Sequence, residues 1–131
     1  MTFDMYREII LDHYNHPRNY GVVKSADGHA EKNNPLCGDR INISFKLDAQ
    51  KKIKDIKFSG AGCSVSKAAA SILTETIKGK NIADIRKYSD DDFMKDMAAP
   101  IAPARRKCAL LALETLRQAV NIKKETDKKK R

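Results

Sequence analysis

The stretch Ile41-Asn42-Ile43-Ser44-Phe45-Lys46-Leu47 decides the fold: apolar residues alternate with polar ones, the period of a β-strand with one face buried. Polar residues Asp48 to Lys52 then read as a hairpin loop, and a second strand is expected over Ile53 to Phe58. Gly60-Ala61-Gly62 is expected to end that strand with flexible backbone. On the N-terminal side, Asn19-Tyr20-Gly21-Val22-Val23 leads into an extended segment within residues 20–32.

Beyond the strands the period changes to helical. Ser66 to Lys78 is rich in alanine, with Ser64 or Ser66 as candidate N-cap and Gly79 as the stop. Two short helices are expected after Asn81 and after Ser89, where Ser89-Asp90-Asp91-Asp92 has the form of a capping box. Phe93, Met94 and Met97 read as packing residues. A long helix starts near Pro103 and carries the stripe Cys108, Leu111, Thr115, Ala119 and Ile122, widened by Leu110, Ala112 and Leu116. At the other end, Tyr6, Ile9, Ile10 and His13 form one helical face over residues 3–14, stopped by Pro17. Strands first and helices afterwards give an α+β class: a small antiparallel β-sheet with helices packed on one face.

The chain has 131 residues, 41% of them hydrophobic, enough for one domain that buries roughly two-thirds of its unfolded surface. We place that domain at residues 1–122 and set apart 123–131, a run with six basic and two acidic residues, as a disordered, solvated tail. The net charge is +9, and the +5 that remains when the tail's +4 is set aside suits an acidic protein partner or, less specifically, nucleic acid. Sparse aromatics and the lack of a reader motif argue against specific nucleic-acid binding. The N-terminal residues lack the pattern of a secretory signal, and no apolar run approaches the ~20 residues that span a bilayer. No membrane association and a cytoplasmic location are therefore expected, where three cysteines stay reduced.

Cys37, Cys63 and Cys108 are far apart and none belongs to a CxxC pair, so each taken singly also reads as a small buried hydrophobe. Their placement carries more. Cys37 and Asp39 share the parity of Ile41, Ile43 and Phe45, so thiol and carboxylate project to the same side. Cys63 follows two glycines at a strand-to-helix turn, where backbone N–H groups and the helix dipole favour negative charge on sulfur. Cys108 lies on the core stripe of the last helix behind Arg105, Arg106 and Lys107. Three thiolates and one carboxylate make the four ligands of tetrahedral zinc or of one [2Fe–2S] cluster. His13 and His16 flank the end of the first helix and read as packed or surface residues rather than ligands.

Four segments also resemble the U-type scaffold proteins of the Isc, Suf and Nif iron–sulfur assembly systems. They are Asp12-His13-Tyr14-Asn15-His16-Pro17-Arg18-Asn19, Asn34-Pro35-Leu36-Cys37-Gly38-Asp39-Arg40-Ile41, Gly60-Ala61-Gly62-Cys63-Ser64-Val65-Ser66 and Pro103-Ala104-Arg105-Arg106-Lys107-Cys108-Ala109, in family order. The resemblance implies a scaffold that takes sulfur from a cysteine desulfurase, gathers iron, builds a [2Fe–2S] cluster and passes it to apo-protein acceptors. It implies Cys37, Asp39, Cys63 and Cys108 as ligands, with zinc as an alternative occupant, and it leaves a homodimer open. Cys108, then Cys37, are the expected persulfide acceptors, with Lys107 as an auxiliary cation and salt-bridge partner of Asp39. The alternative activity is a zinc-dependent sulfurtransferase that builds no cluster. Lys107 stands where the Isc branch has histidine, as in the Suf branch, yet the extra Suf segment between the second and third cysteines is missing.

Overall fold

The computed structural model describes residues 3–34, 38–97, 101 and 103–129. The chain runs α1 (Phe3–Asn15), β1 (Gly28–Asn34), β2 (Asp39–Leu47), β3 (Ile53–Ala61), α2 (Ser64–Ile77), α3 (Ile82–Lys87), α4 (Asp90–Met97), a 3-10 turn (Pro103–Arg105) and α5 (Arg106–Lys129).

The three strands form an antiparallel sheet in the order β1-β2-β3. The alternation in β2 is realised: Ile41, Ile43 and Phe45 are buried on the face that α2 and α5 cover. β3 departs from strict alternation, because Ile53 and Ile56 both point inward. A register shift at Lys46/Leu47 accounts for this, since the extra residue of a β-bulge restores the inward direction of Ile53. The hairpin is tied by Asp48, whose carboxylate accepts from the backbone N–H groups of Gln50 and Lys52, both at 2.9 Å.

The expected end of the second strand at Gly60 is corrected. Gly60 and Ala61 continue β3 opposite Ile41 and Arg40. Gly60 has φ +133°, and a Cβ there would lie 2.0 Å from the Arg40 carbonyl oxygen, so glycine serves a close backbone approach inside the ladder. The extended segment expected in 20–32 splits in two. Tyr20 forms an isolated parallel bridge with Phe58 at the outer edge of β3, and β1 begins only at Gly28.

α5 packs along β1 and β2, α2 packs along β3, and α1 lies on α2. Leu73, Ile77, Leu113, Leu116, Phe93 and Met97 fill the space between helices and sheet. Both short helices form with their expected caps. Asn81 accepts from the Asp84 N–H at 2.8 Å, and Ser89 and Asp92 exchange reciprocal bonds at 3.0 and 3.2 Å. α5 continues past residue 122 to Lys129, through most of the run set apart as a tail; that run contains no proline or glycine to stop a helix. Among the described residues no helix is long and apolar enough to cross a membrane.

Candidate metal centre

The site lies where the end of β3 turns into α2. The pairing of Arg40 with Ala61 sets Asp39 opposite Gly62, next to Cys63. Neither Ser64 nor Ser66 caps α2, as the sequence suggested. Cys63 itself holds the N-cap position without a side-chain cap bond. The negative charge at this helix start comes instead from Asp39, whose Oδ1 accepts from the Cys63 N–H at 3.0 Å. Asp39 is 2% exposed, a buried carboxylate anchored by this bond.

The Cys63 Sγ lies 3.9 Å from Asp39 Oδ2 and 3.7 Å from Ser66 Oγ, and the Ser66 hydroxyl donates to the Cys63 carbonyl at 3.1 Å. Cys108 arrives from α5, fully buried, while Cys63 is half-buried. Ligand atoms of Asp39, Cys63 and Cys108 all lie within 4.8 Å of one another. Tetrahedral zinc with bonds of about 2.0 to 2.3 Å separates its ligand atoms by about 3.3 to 3.8 Å, so small side-chain adjustments bring these three onto one ion. Two soft sulfur donors and one oxygen donor suit zinc or iron.

Cys37, the fourth expected ligand, lies outside the described residues. The structure brings together the other three. It does not form the expected ion pair of Lys107 with Asp39: Lys107 is exposed, and Arg106 reaches Asp91 at 3.3 Å. The cation at the thiols is Arg105. Negative charge on Cys63, followed by hydrogen bonding and charge from Cys108, raises the pKa of the Arg105 guanidinium above its ordinary value. Helical phase is the reason, since Arg105 stands three residues before Cys108 and shares its face, whereas Lys107 is rotated about 100° away. That spacing was the available signal. Gly62 and Ser66 were also missed as parts of the site. A Cβ on Gly62 would come within 2.3 Å of Ser66 Oγ and 3.0 Å of Asp39 Oδ1, so only glycine leaves room for both. His13 is a packing residue, its Nδ1 2.8 Å from the Ser71 hydroxyl, and His16 is exposed.

The family model for the NifU-like N terminal domain matches residues 5–130. The chain belongs to this family. It is the U-type scaffold family that the four segments resemble, and the observed fold is α+β as that resemblance implied. The zinc-dependent sulfurtransferase SufU of Bacillus subtilis (strain 168) is 40% identical over 133 residues, covering 88% of this chain and 89% of that protein. The iron-sulfur cluster assembly scaffold protein IscU of Aquifex aeolicus (strain VF5) is 36% identical over 121 residues, covering 92% of this chain and 76% of that protein. Among solved structures, a putative iron-sulfur cluster assembly scaffold protein for the SUF system from Fervidobacterium islandicum AW-1 superposes with a TM-score of 0.75 at 27% identity, covering 92% of this chain and 99% of that one. Family membership thus agrees with a metal-binding reading of the site without naming its occupant.

Proposed function

We propose that this NifU-like domain is an iron–sulfur assembly scaffold that accepts sulfur from a cysteine desulfurase, builds a [2Fe–2S] cluster on Cys37, Asp39, Cys63 and Cys108, and passes it to apo-protein acceptors in the cytoplasm. The observation that supports this most is the convergence of Asp39, Cys63 and Cys108 on one point. The mixed donor set has a chemical consequence. Carboxylate oxygen is a harder, more exchangeable donor to iron than thiolate, so Asp39 gives the cargo an exit that an all-thiolate site lacks.

Sulfur arrives as a persulfide on a donor cysteine. An acceptor thiolate attacks the outer sulfur, the donor's S–S bond breaks, its thiolate leaves, and a new S–S bond forms on the scaffold with no net redox change. Cys108 and Cys37 are the proposed acceptors. Because Cys108 is buried beneath the exposed Arg105, the guanidinium has two tasks: to attract the anionic persulfide and to swing aside as sulfur enters.

A second reading, a zinc-dependent sulfurtransferase, is favoured by the 40% identity to SufU. Cys37, Asp39, Cys63 and Cys108 would then hold zinc, one thiol exchanging off to take the persulfide, with the zinc fixing thiolate geometry at neutral pH. Anaerobic isolation with metal analysis and visible spectroscopy, followed by incubation with a cysteine desulfurase, cysteine and iron, separates the two. The scaffold turns red-brown and transfers its cluster. A protein that retains zinc, stays colourless in the presence of iron and still takes up sulfur supports the second reading against the first.

A further inference from the structure

The end of the molecule farthest from the candidate metal centre is built of lysines. Lys51 and Lys52 close the β2–β3 hairpin, Lys54 follows at the start of β3, and Lys78 and Lys80 flank Gly79 just past the end of α2. The backbone brings these stretches side by side. The Ile53 N–H donates to the Lys80 carbonyl at 2.8 Å, the Gly79 N–H to the Ile53 carbonyl at 2.9 Å and the Ile82 N–H to the Lys51 carbonyl at 3.1 Å, and Lys52 bridges Asn81. All five lysines are exposed, and among the described residues none of them forms an ion pair. The carboxylates nearby have other partners. Asp48 accepts from the Gln50 and Lys52 N–H groups, Asp92 from the Ser89 N–H and Asp96 from the Tyr88 hydroxyl, while Asp84 stands in the first turn of α3. Like charges gathered in this way repel one another, and an anionic partner relieves the repulsion.

We propose that Lys51, Lys52, Lys54, Lys78 and Lys80 form a docking surface for an acidic segment of a partner protein, separate from the metal centre. Three observations select that class of partner. The Tyr88 ring lies under the Lys80 ammonium, 5.4 Å from ring centre to nitrogen, and is 9% exposed, so no nucleic-acid base can stack on it. The cations are lysines, point charges without the planar fork by which arginine reads guanine. The exposed large apolar side chains among the described residues, Leu11, Tyr20 and Val22, lie in other segments, so a membrane finds no apolar anchor here. β3 and α2 both run between this end and the metal centre, and the fourteen residues of α2 set the two ends about 20 Å apart. A partner held on the lysines therefore leaves Cys63 uncovered. The proposal goes beyond the assembly reading and stands for either occupant of the metal centre.

The test measures fluorescence anisotropy of a short labelled peptide of alternating glutamate and serine, titrated with the full chain at low salt. One variant combines Lys51→Gln, Lys52→Gln and Lys78→Gln, leaving Lys80 in place because it lies on Tyr88. A control makes the same change of charge in the terminal run, with Lys123→Gln, Lys124→Gln and Lys128→Gln. The hairpin variant is expected to bind the peptide about tenfold or more weakly, with unchanged circular dichroism and zinc content, and the control to bind within about threefold of the unaltered chain. Saturating peptide should leave the rate of thiol labelling at Cys63 unchanged. Equal losses in the two variants would reduce the effect to net charge and overturn the proposal. Failure of the unaltered chain to bind the peptide would also overturn it, as would tighter binding of a short DNA duplex than of the peptide. Protection of Cys63 by the peptide would place the acidic segment at the metal centre instead.

Discussion

Replacing Gly62 by alanine tests how tightly the site is built. The new Cβ would stand 2.3 Å from Ser66 Oγ, 3.0 Å from Asp39 Oδ1 and 3.3 Å from Asp39 Cγ. Restoring ordinary van der Waals separation moves the serine oxygen by roughly 1 Å and the carboxylate by roughly half an ångström. Both groups are ends of side chains, so the strands and α2 should survive, unlike a substitution at Gly60, where the obstacle is the Arg40 backbone. The displaced carboxylate loses its bond to the Cys63 N–H, a hydrogen bond to a charged group worth about 1.5 to 3 kcal/mol. It also leaves the position from which it would reach a metal. Zinc affinity, measured by competition with a chromophoric chelator, should fall about tenfold to a hundredfold, with a lower Tm for the metal-free protein. Adding Ser66→Ala removes the closer clash but leaves the approach to Asp39, so affinity should recover only in part. Affinity within twofold of the unaltered protein in the Gly62→Ala variant would refute the reasoning.

Asp39→Ala should slow cluster loss, because it removes the exchangeable oxygen ligand; equal or faster transfer to apo-ferredoxin would count against that role. Arg105→Ala should reduce sulfur uptake from a desulfurase by about tenfold or more, whereas Lys107→Ala should leave it nearly unchanged, as read by persulfide labelling and mass spectrometry. Equal losses in both variants would return Lys107 to the site. Burial, with the nearby charge of Arg18 adding to it, holds His13 below the usual histidine range. The folded chain therefore takes up this proton only at lower pH than the unfolded chain. The resulting stability is complete above about 6.5 and declines as pH falls below it. Chemical denaturation of the metal-free protein should show that decline, and His13→Gln should flatten it.

The sheet was legible because Ile41, Ile43 and Phe45 obey the strand period, and the short helices because Asn81 and Ser89 cap them with side chains that the structure shows bonded. The bulge beside Leu47 was not, since register is set by pairing across two strands and leaves no local mark. Gly60 misled for a related reason: glycine that ends a strand and glycine that admits a crowded neighbour look the same in one dimension. In the site, the parity of Asp39 with the core-facing row identified the carboxylate, yet its meeting with Cys63, twenty-four residues on, depends on the β2–β3 register. Lys107 adjoins Cys108 in sequence, yet it is Arg105 that meets the thiols, because adjacency in sequence is not adjacency in space. On a helix, three residues apart is closer to the same face than one.

X-ray absorption at the zinc edge of the zinc-loaded protein bears most directly on the claim that the cysteines and Asp39 share one ion. The account predicts a four-coordinate shell of three sulfurs at about 2.3 Å and one oxygen at about 2.0 Å, with the oxygen replaced or lost in Asp39→Ala and one sulfur lost in each cysteine-to-serine variant. A shell made of nitrogen and water oxygens, or one unaltered by those substitutions, would contradict it.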